Sequence, residues 1–102
     1  MSLMLRTIQK EKNRIEYMLA SYYEQLKNLP KGSVVSKTVG RNIYYYLKHR
    51  NGKKVFTDYL GKGGEKVASV RVALEKRRHI ETMIAQLQSE QAIANKVLEG
   101  KV

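Results

Sequence analysis

The sequence has no cysteine, a single proline and no apolar run approaching the ~20 residues that a membrane-spanning helix needs. Without cysteine there is no disulfide framework and no thiolate metal site. Without a long apolar run a transmembrane reading fails, and the N-terminus lacks the charged, apolar, small-residue order of a signal peptide. The expectation is therefore a cytoplasmic protein with no membrane partner. Acids are scarce as well: 9 Asp+Glu stand against 20 Lys+Arg, a net charge of +11 on 102 residues. Such an excess repels itself in a folded chain unless a polyanion offsets it. With 42% apolar residues the chain can still bury a core, and its length suits one domain, residues 1–102.

Catalytic chemistry has equally little to stand on. The two histidines, His49 and His79, fall on different elements with no carboxylate pair at a metal-ligand spacing. Asp58 with Glu65-Lys66 faintly resembles a metal-nuclease triad, but that pattern wants one residue between the Glu and the Lys. The expectation is no catalytic residue, no metal and no cofactor, hence not an enzyme.

What is present is periodicity. From residue 3 to 28 the apolar residues Met4, Ile8, Ile15, Met18, Leu19, Tyr22 and Leu26 recur every three or four positions, which predicts an amphipathic helix. Pro30 disfavours helical geometry at Leu29, and Gly32 follows as a second breaker. A second helix is predicted over 65–99, with Val70, Ala73, Ile80, Ile84, Leu87, Ala94 and Leu98 on one stripe. At 1.5 Å per residue the helices span roughly 39 and 52 Å, so packing stripe on stripe leaves the longer one overhanging by ~14 Å.

Between them, over 33–60, the period changes to 2 and β-branched and aromatic residues cluster, which predicts three strands. Asn51-Gly52 reads as a type I′ turn and Gly40-Arg41-Asn42 as a three-residue turn. The expected fold is α+β: two long antiparallel helices, a coiled-coil-like hairpin, flanking a three-stranded antiparallel β-meander.

An Asn51-Gly52 turn sets Arg50 opposite Lys53, Lys48 opposite Val55, Tyr46 opposite Thr57 and Tyr44 opposite Tyr59, all on one side. The other side carries Ile43, Tyr45, Leu47, Phe56 and Leu60, joined by Val35 and Val39 if Val39 opposes Ile43, and should lie against the helices. Tyr45 is expected in the core with its hydroxyl near Asp58. Charge follows the same division: residues 31–66 hold nine basic and two acidic residues, whereas 1–30 hold five and three and 67–102 hold six and four.

Tyrosines interleaved with lysine and arginine on an open sheet suit nucleic acid. Cations neutralise phosphates, hydroxyls and guanidinium groups reach phosphate oxygens or base edges, and rings stack on unpaired bases. The same tyrosines also make cross-strand pairs on sheets that bind nothing. The candidate nucleic-acid-binding residues are Tyr44, Tyr46, Lys48, Arg50, Lys53, Tyr59, Lys37, Arg41 and Lys62, and Lys76, Arg77 and Arg78 are a possible extension. Gly61-Lys62-Gly63-Gly64 before a helix favours anions, although it is not a Walker A motif and a flexible exit from the strand explains it too.

Leu29-Pro30-Lys31-Gly32-Ser33, Tyr44-Tyr45-Tyr46-Leu47, Asn51-Gly52-Lys53-Lys54-Val55 and Tyr59-Leu60-Gly61, flanked by helices, resemble a family of small uncharacterised proteins from Gram-positive bacteria and their mobile elements. That resemblance implies no activity. A weaker likeness is to the arm-binding N-terminal domains of tyrosine recombinases, whose three-stranded sheet docks in the major groove. It would put Tyr44, Tyr46, Lys48, Arg50 and Lys53 on the docking face, although the two long helices have no counterpart there.

Two readings follow. One is a non-enzymatic nucleic-acid-binding module, with DNA favoured over RNA. The alternative is a protein-binding adaptor or inhibitor encoded by a phage or mobile element, anti-CRISPR-like or antitoxin-like, acting on a host nucleoprotein. In either case the second helix beyond Leu87 extends past the cover of the first, which suggests a homodimer through that end.

Overall fold

A computed structural model describes residues 2–100 of the chain. Five elements follow one another: α1 (Leu3–Lys27), β1 (Ser33–Val39), β2 (Asn42–Asn51), β3 (Lys54–Gly61) and α2 (Glu65–Leu98). The fold is α+β, two long helices that precede and follow, in chain order, an open three-stranded antiparallel sheet. Among the described residues no helix is long and apolar enough to cross a membrane.

Ser2 starts α1: its hydroxyl accepts the Leu5 N–H at 3.1 Å, satisfying an otherwise orphaned donor, and its carbonyl takes the Arg6 N–H as the first intrahelical bond. The helix stops at Asn28, two residues ahead of Pro30, as the proline requires. Gly64 precedes α2 and accepts the Ala68 N–H.

The chain divides into two compact units. One takes the residues up to Asn28 together with those from His79 on; the other is Leu29–Arg78. The length of α2 is therefore shared between them, and its first fourteen residues, 65–78, belong with the strands. This corrects the expected overhang. The extra length is not a free C-terminal end but an N-terminal segment with its own sheet.

In the helical unit one run of covered positions in α1 is Leu5, Ile8, Lys12, Ile15, Leu19, Tyr22 and Leu26, and one in α2 is Ile80, Ile84, Leu87, Gln91, Ala94 and Leu98, with Gln9, Met18, Gln25, Met83, Asn95 and Val97 half-buried beside them. Both series alternate steps of three and four, the 3.5-residue repeat of a coiled coil. The helices run antiparallel: Gln88 Nε2 donates to Tyr23 Oη at 2.8 Å near the end of α1, while Ile8 and Ile15 share a cleft with Ala94 and Val97. Ile15 and Ile80 are the most deeply buried side chains, and each contributes about 1.5–3 kcal/mol by leaving water. Ala94, towards the C-terminal end of α2, is buried beside Ile8 and Ile15 of α1, while Ile93 next to it is exposed.

The sheet unit differs from expectation in its register. Val39 pairs with Asn42 and Asn51 with Lys54, so both turns are two-residue loops, Gly40-Arg41 and Gly52-Lys53. Each has glycine first, at φ +61 and +65, and no non-glycine residue takes positive φ among the described residues. That is the demand of a type II′ turn, not of the type I′ turn expected at Asn51-Gly52. In the second hairpin the shift is two places: Arg50 faces Val55, Lys48 faces Thr57 and Tyr46 faces Tyr59. In the first the shift is one place, so Val35 faces Tyr46 and Val39 faces Asn42. A one-place slip exchanges the two sides of a strand, which puts Val35 and Val39 with the tyrosines and Val34 with Leu47.

The core of this unit is Leu60, Val67 and Leu74, with Val34, Tyr45 and Leu47 half-buried. Leu60 is the extra residue of a bulge, since Tyr46 pairs with Tyr59 and Tyr45 with Gly61. Arg71 of α2 lies over the Tyr45 ring at 5.9 Å, which identifies the Tyr45 side as the one that α2 covers. Tyr45 is thus covered by α2 as expected, but Asp58 pairs across from Leu47 and bonds His49 at 2.8 Å, not Tyr45. Ile43 and Phe56, expected against the helices, are 46% and 42% exposed near the two ends of this side.

Candidate nucleic-acid interface

The pleat sends alternate residues to opposite sides, so the observed register defines the face away from Arg71 and Tyr45. It carries Ser33, Val35, Lys37 and Val39 from β1, Tyr44, Tyr46, Lys48 and Arg50 from β2, and Val55, Thr57 and Tyr59 from β3. Three tyrosines occupy its middle. Tyr59 packs on Tyr46 with ring centroids 5.5 Å apart and on Tyr44 at 6.3 Å, both tilted, the arrangement aromatic pairs prefer to a flat sandwich. Tyr44 and Tyr46 are half-buried by these contacts, and Tyr59 is 53% exposed.

Cations surround the rings. Lys37 is directly opposite Tyr44, Lys48 and Arg50 continue along β2, and the Lys62 ammonium sits 5.5 Å from the centre of the Tyr44 ring. Arg41 and Lys53 hold the second position of the two turns, one at each end of the sheet. All nine expected binding residues therefore lie on this face or at its margins. Among the described residues none of Lys37, Arg41, Lys48, Arg50, Lys53 and Lys62 is ion-paired.

The face bears no carboxylate. The one acid in the three strands, Asp58, is on the opposite side, bonded to His49, whose ring stacks on Phe56 at 5.5 Å and 17°. Charge is concentrated accordingly. Residues 29–78 hold thirteen Lys+Arg and three Asp+Glu, a net +10, while the rest of the sequence holds seven and six, a net +1. Nearly the whole excess belongs to the sheet unit.

The expected extension on α2 is only partly available. Lys76 and Arg78 are exposed, but Arg77 is half-buried and its Nη1 donates to the Leu29 carbonyl at 3.2 Å. Arg77 is thereby corrected from a surface cation to a structural one, tying α2 to the segment that leads into β1. Arg78 lines a separate cleft with Ser33, Val34, Arg71, Leu74 and Glu75.

Two hydroxyls of the face, Ser33 and Thr57, were not among the expected residues. For Ser33 the missing signal was the two-residue Gly40-Arg41 turn, which alone determines which way β1 faces. Among the described residues no group of three His, Asp or Glu side chains could hold a metal ion. A family model, Domain of unknown function (DUF6788), matches residues 2–69, a stretch that takes in α1, all three strands and the first turn of α2. No curated protein and no solved structure matches the chain.

Proposed function

The chain belongs to the DUF6788 family, and for it we propose a non-enzymatic nucleic-acid-binding role in which the tyrosine face docks on duplex DNA. One observation carries the reading: a net charge of +10 is gathered in residues 29–78, around a sheet face that holds three tyrosines and no acid. A polyanion relieves the self-repulsion of that unit and releases its own counterions, so association is favourable before any base is read.

Shape favours the duplex. Neighbouring strands stand about 4.8 Å apart, so a pair of strands of this face fits the major groove, ~12 Å wide. The tyrosine rings are engaged on one another, which leaves them less face to offer an unpaired base. Their hydroxyls, with those of Ser33 and Thr57, suit groove edges and phosphate oxygens. Recombinase arm-binding domains, to which the strand segment bears a weak likeness, use a sheet in the same manner. The helical hairpin, at net +1, contributes little attraction.

The test is a salt titration of binding to a short labelled duplex. If Lys37, Lys53 and Lys62 each neutralise a phosphate and the neighbouring Lys48 and Arg50 share a fourth, log affinity falls with log salt at a slope near ~−3.6, and the same contacts on a single strand give ~−2.8. Changing Lys48, Arg50 and Lys53 together to alanine should reduce the duplex slope to about −1.8. A flat slope in the parent, or an unchanged slope in the triple variant, overturns the reading.

A further inference from the structure

Strand β1 begins too late to cover the whole of its neighbour. Its first residue, Ser33, pairs with Lys48, while β2 continues for three more residues, His49, Arg50 and Asn51. The chain turns away at Gly32, where φ is +121 and a Cβ would stand 2.2 Å from the Lys48 carbonyl oxygen. Only glycine permits this approach, and it holds Ser33 at the edge of the gap. The gap is a notch of about 340 Å³ lined by Gly32, Ser33, Lys48, His49, Arg50 and Val55.

Ser33, Lys48 and Arg50 belong to the tyrosine side of the sheet by register, so a hydroxyl and two cations border one opening. Among the described residues neither cation is ion-paired. His49 leans the other way, to Asp58, which keeps the nearest strand carboxylate on the far side. A second cleft shares Ser33 but lies on the helix side, and it serves as an internal comparison. It also has two cations, Arg71 and Arg78, yet Glu75 is in its lining and offsets one of them. Of the two clefts beside Ser33, the notch alone is free of acid.

We propose that this notch holds a single phosphate group, with Arg50 and Lys48 as its charge partners and the Ser33 hydroxyl as a donor. Arginine in particular offers a planar fork suited to two phosphate oxygens. The inference rests on the duplex-binding reading and deepens it, since it makes the LPKGS corner the point where the nucleic-acid backbone is gripped while the tyrosines meet the groove.

Two measurements on the full chain separate the inference from its premise. In the first, inorganic phosphate is titrated into isotope-labelled protein. The amide signals of Gly32, Ser33 and Arg50 should shift together, Ser33→Ala should weaken the response several-fold, and Ser33→Asp should abolish it. Phosphate shifts spread evenly over the exposed lysines would overturn the site. In the second, the duplex salt slope is compared between parent and Ser33→Asp, with an unchanged spectrum outside the corner as the control for folding. Loss of one phosphate contact makes the slope less steep by about 0.9. A duplex slope that Ser33→Asp leaves unaltered would sink the notch and spare the duplex reading. Phosphate saturating the notch in a protein that ignores duplex DNA would do the reverse.

Discussion

Gly32→Ala is the substitution whose effect can be worked out most directly. The added methyl would lie 2.2 Å from the Lys48 oxygen and 2.9 Å from His49 Cβ. An ordinary C···O approach is about 3.3 Å or more, so the chain must retreat on the order of 1 Å from β2. Two costs combine. An L-residue held at φ +121 costs about 1–3 kcal/mol, and the retreat pulls Ser33 from Lys48 and loosens the end of the β1–β2 ladder, at about 0.5–1.5 kcal/mol per hydrogen bond lost. Gly63→Ala isolates the first cost, because Gly63 has φ +126 but the nearest atom to its Cβ is Tyr45 Cε2 at 3.8 Å. A total near ~3 kcal/mol for Gly32→Ala corresponds to a fall of ~12–24 °C in the melting of a small domain. The assay is thermal unfolding followed through the amide signals of β1 and β2. Gly32→Ala should lose about 1–2 kcal/mol more than Gly63→Ala, the value of the ladder bonds. Equal losses in the two variants would refute the close approach at Gly32.

Other expectations concern the rest of the molecule. Ile80→Ala and Ile15→Ala should each cost about 2–5 kcal/mol in urea unfolding, since both side chains are 1% exposed in the seam of the hairpin, and a loss under 1 kcal/mol would contradict that packing. Arg77→Ala should cost about 1–3 kcal/mol by freeing the Leu29 carbonyl while leaving the duplex salt slope as it was; a changed slope with unchanged stability would return Arg77 to the binding surface. The Glu11 carboxyl is held below its ordinary range by its hydrogen bonds to Arg14, so its stabilising contribution is present above the unfolded-state value and is lost as pH falls through the depressed one. Melting of the parent and of Glu11→Gln should therefore differ by a small constant at neutral pH and converge in acid, the pair being exposed and screened. Divergence on acidification would contradict the assignment.

The elements themselves were legible because each is marked locally. A 3.6-residue stripe, Pro30, and alternation from Ser33 to Leu60 place both helices and all three strands to within a residue or two. Register was legible only where an error leaves parity alone. The second hairpin was displaced by two places, so Tyr44, Tyr46, Lys48 and Arg50 kept their common side and the candidate face survived. The first was displaced by one, which turned β1 over, brought Val35 and Val39 to the tyrosines and moved Lys37 opposite Tyr44. Turn chemistry decided both cases: Gly40 and Gly52 each begin a two-residue loop, a demand that Gly-Arg and Gly-Lys meet as type II′.

The division of α2 between two units was hidden for a different reason. A helix that changes its partner shows no break, and its apolar stripe runs on through both. The sign that was present is Arg77, which occupies a stripe position between Leu74 and Ile80 and is covered through its bond to Leu29. In α2 that cation falls where the helix passes from one unit to the other. Lys12 and Gln91 are polar at coiled-coil positions of α1 and α2, which is why those positions escaped an apolar-only search.

The central claim is that one side of the sheet, and not the other, meets duplex DNA. Strand β3 offers the most direct measurement, because Val55, Thr57 and Tyr59 stand on that side and Lys54, Phe56 and Asp58 on the other. Side-chain signals along β3, recorded as a short duplex is added, should respond in alternation: large shifts at Val55, Thr57 and Tyr59, and little change at Phe56 and Asp58. Equal responses at both sets, or shifts confined to the helical hairpin, would contradict the account.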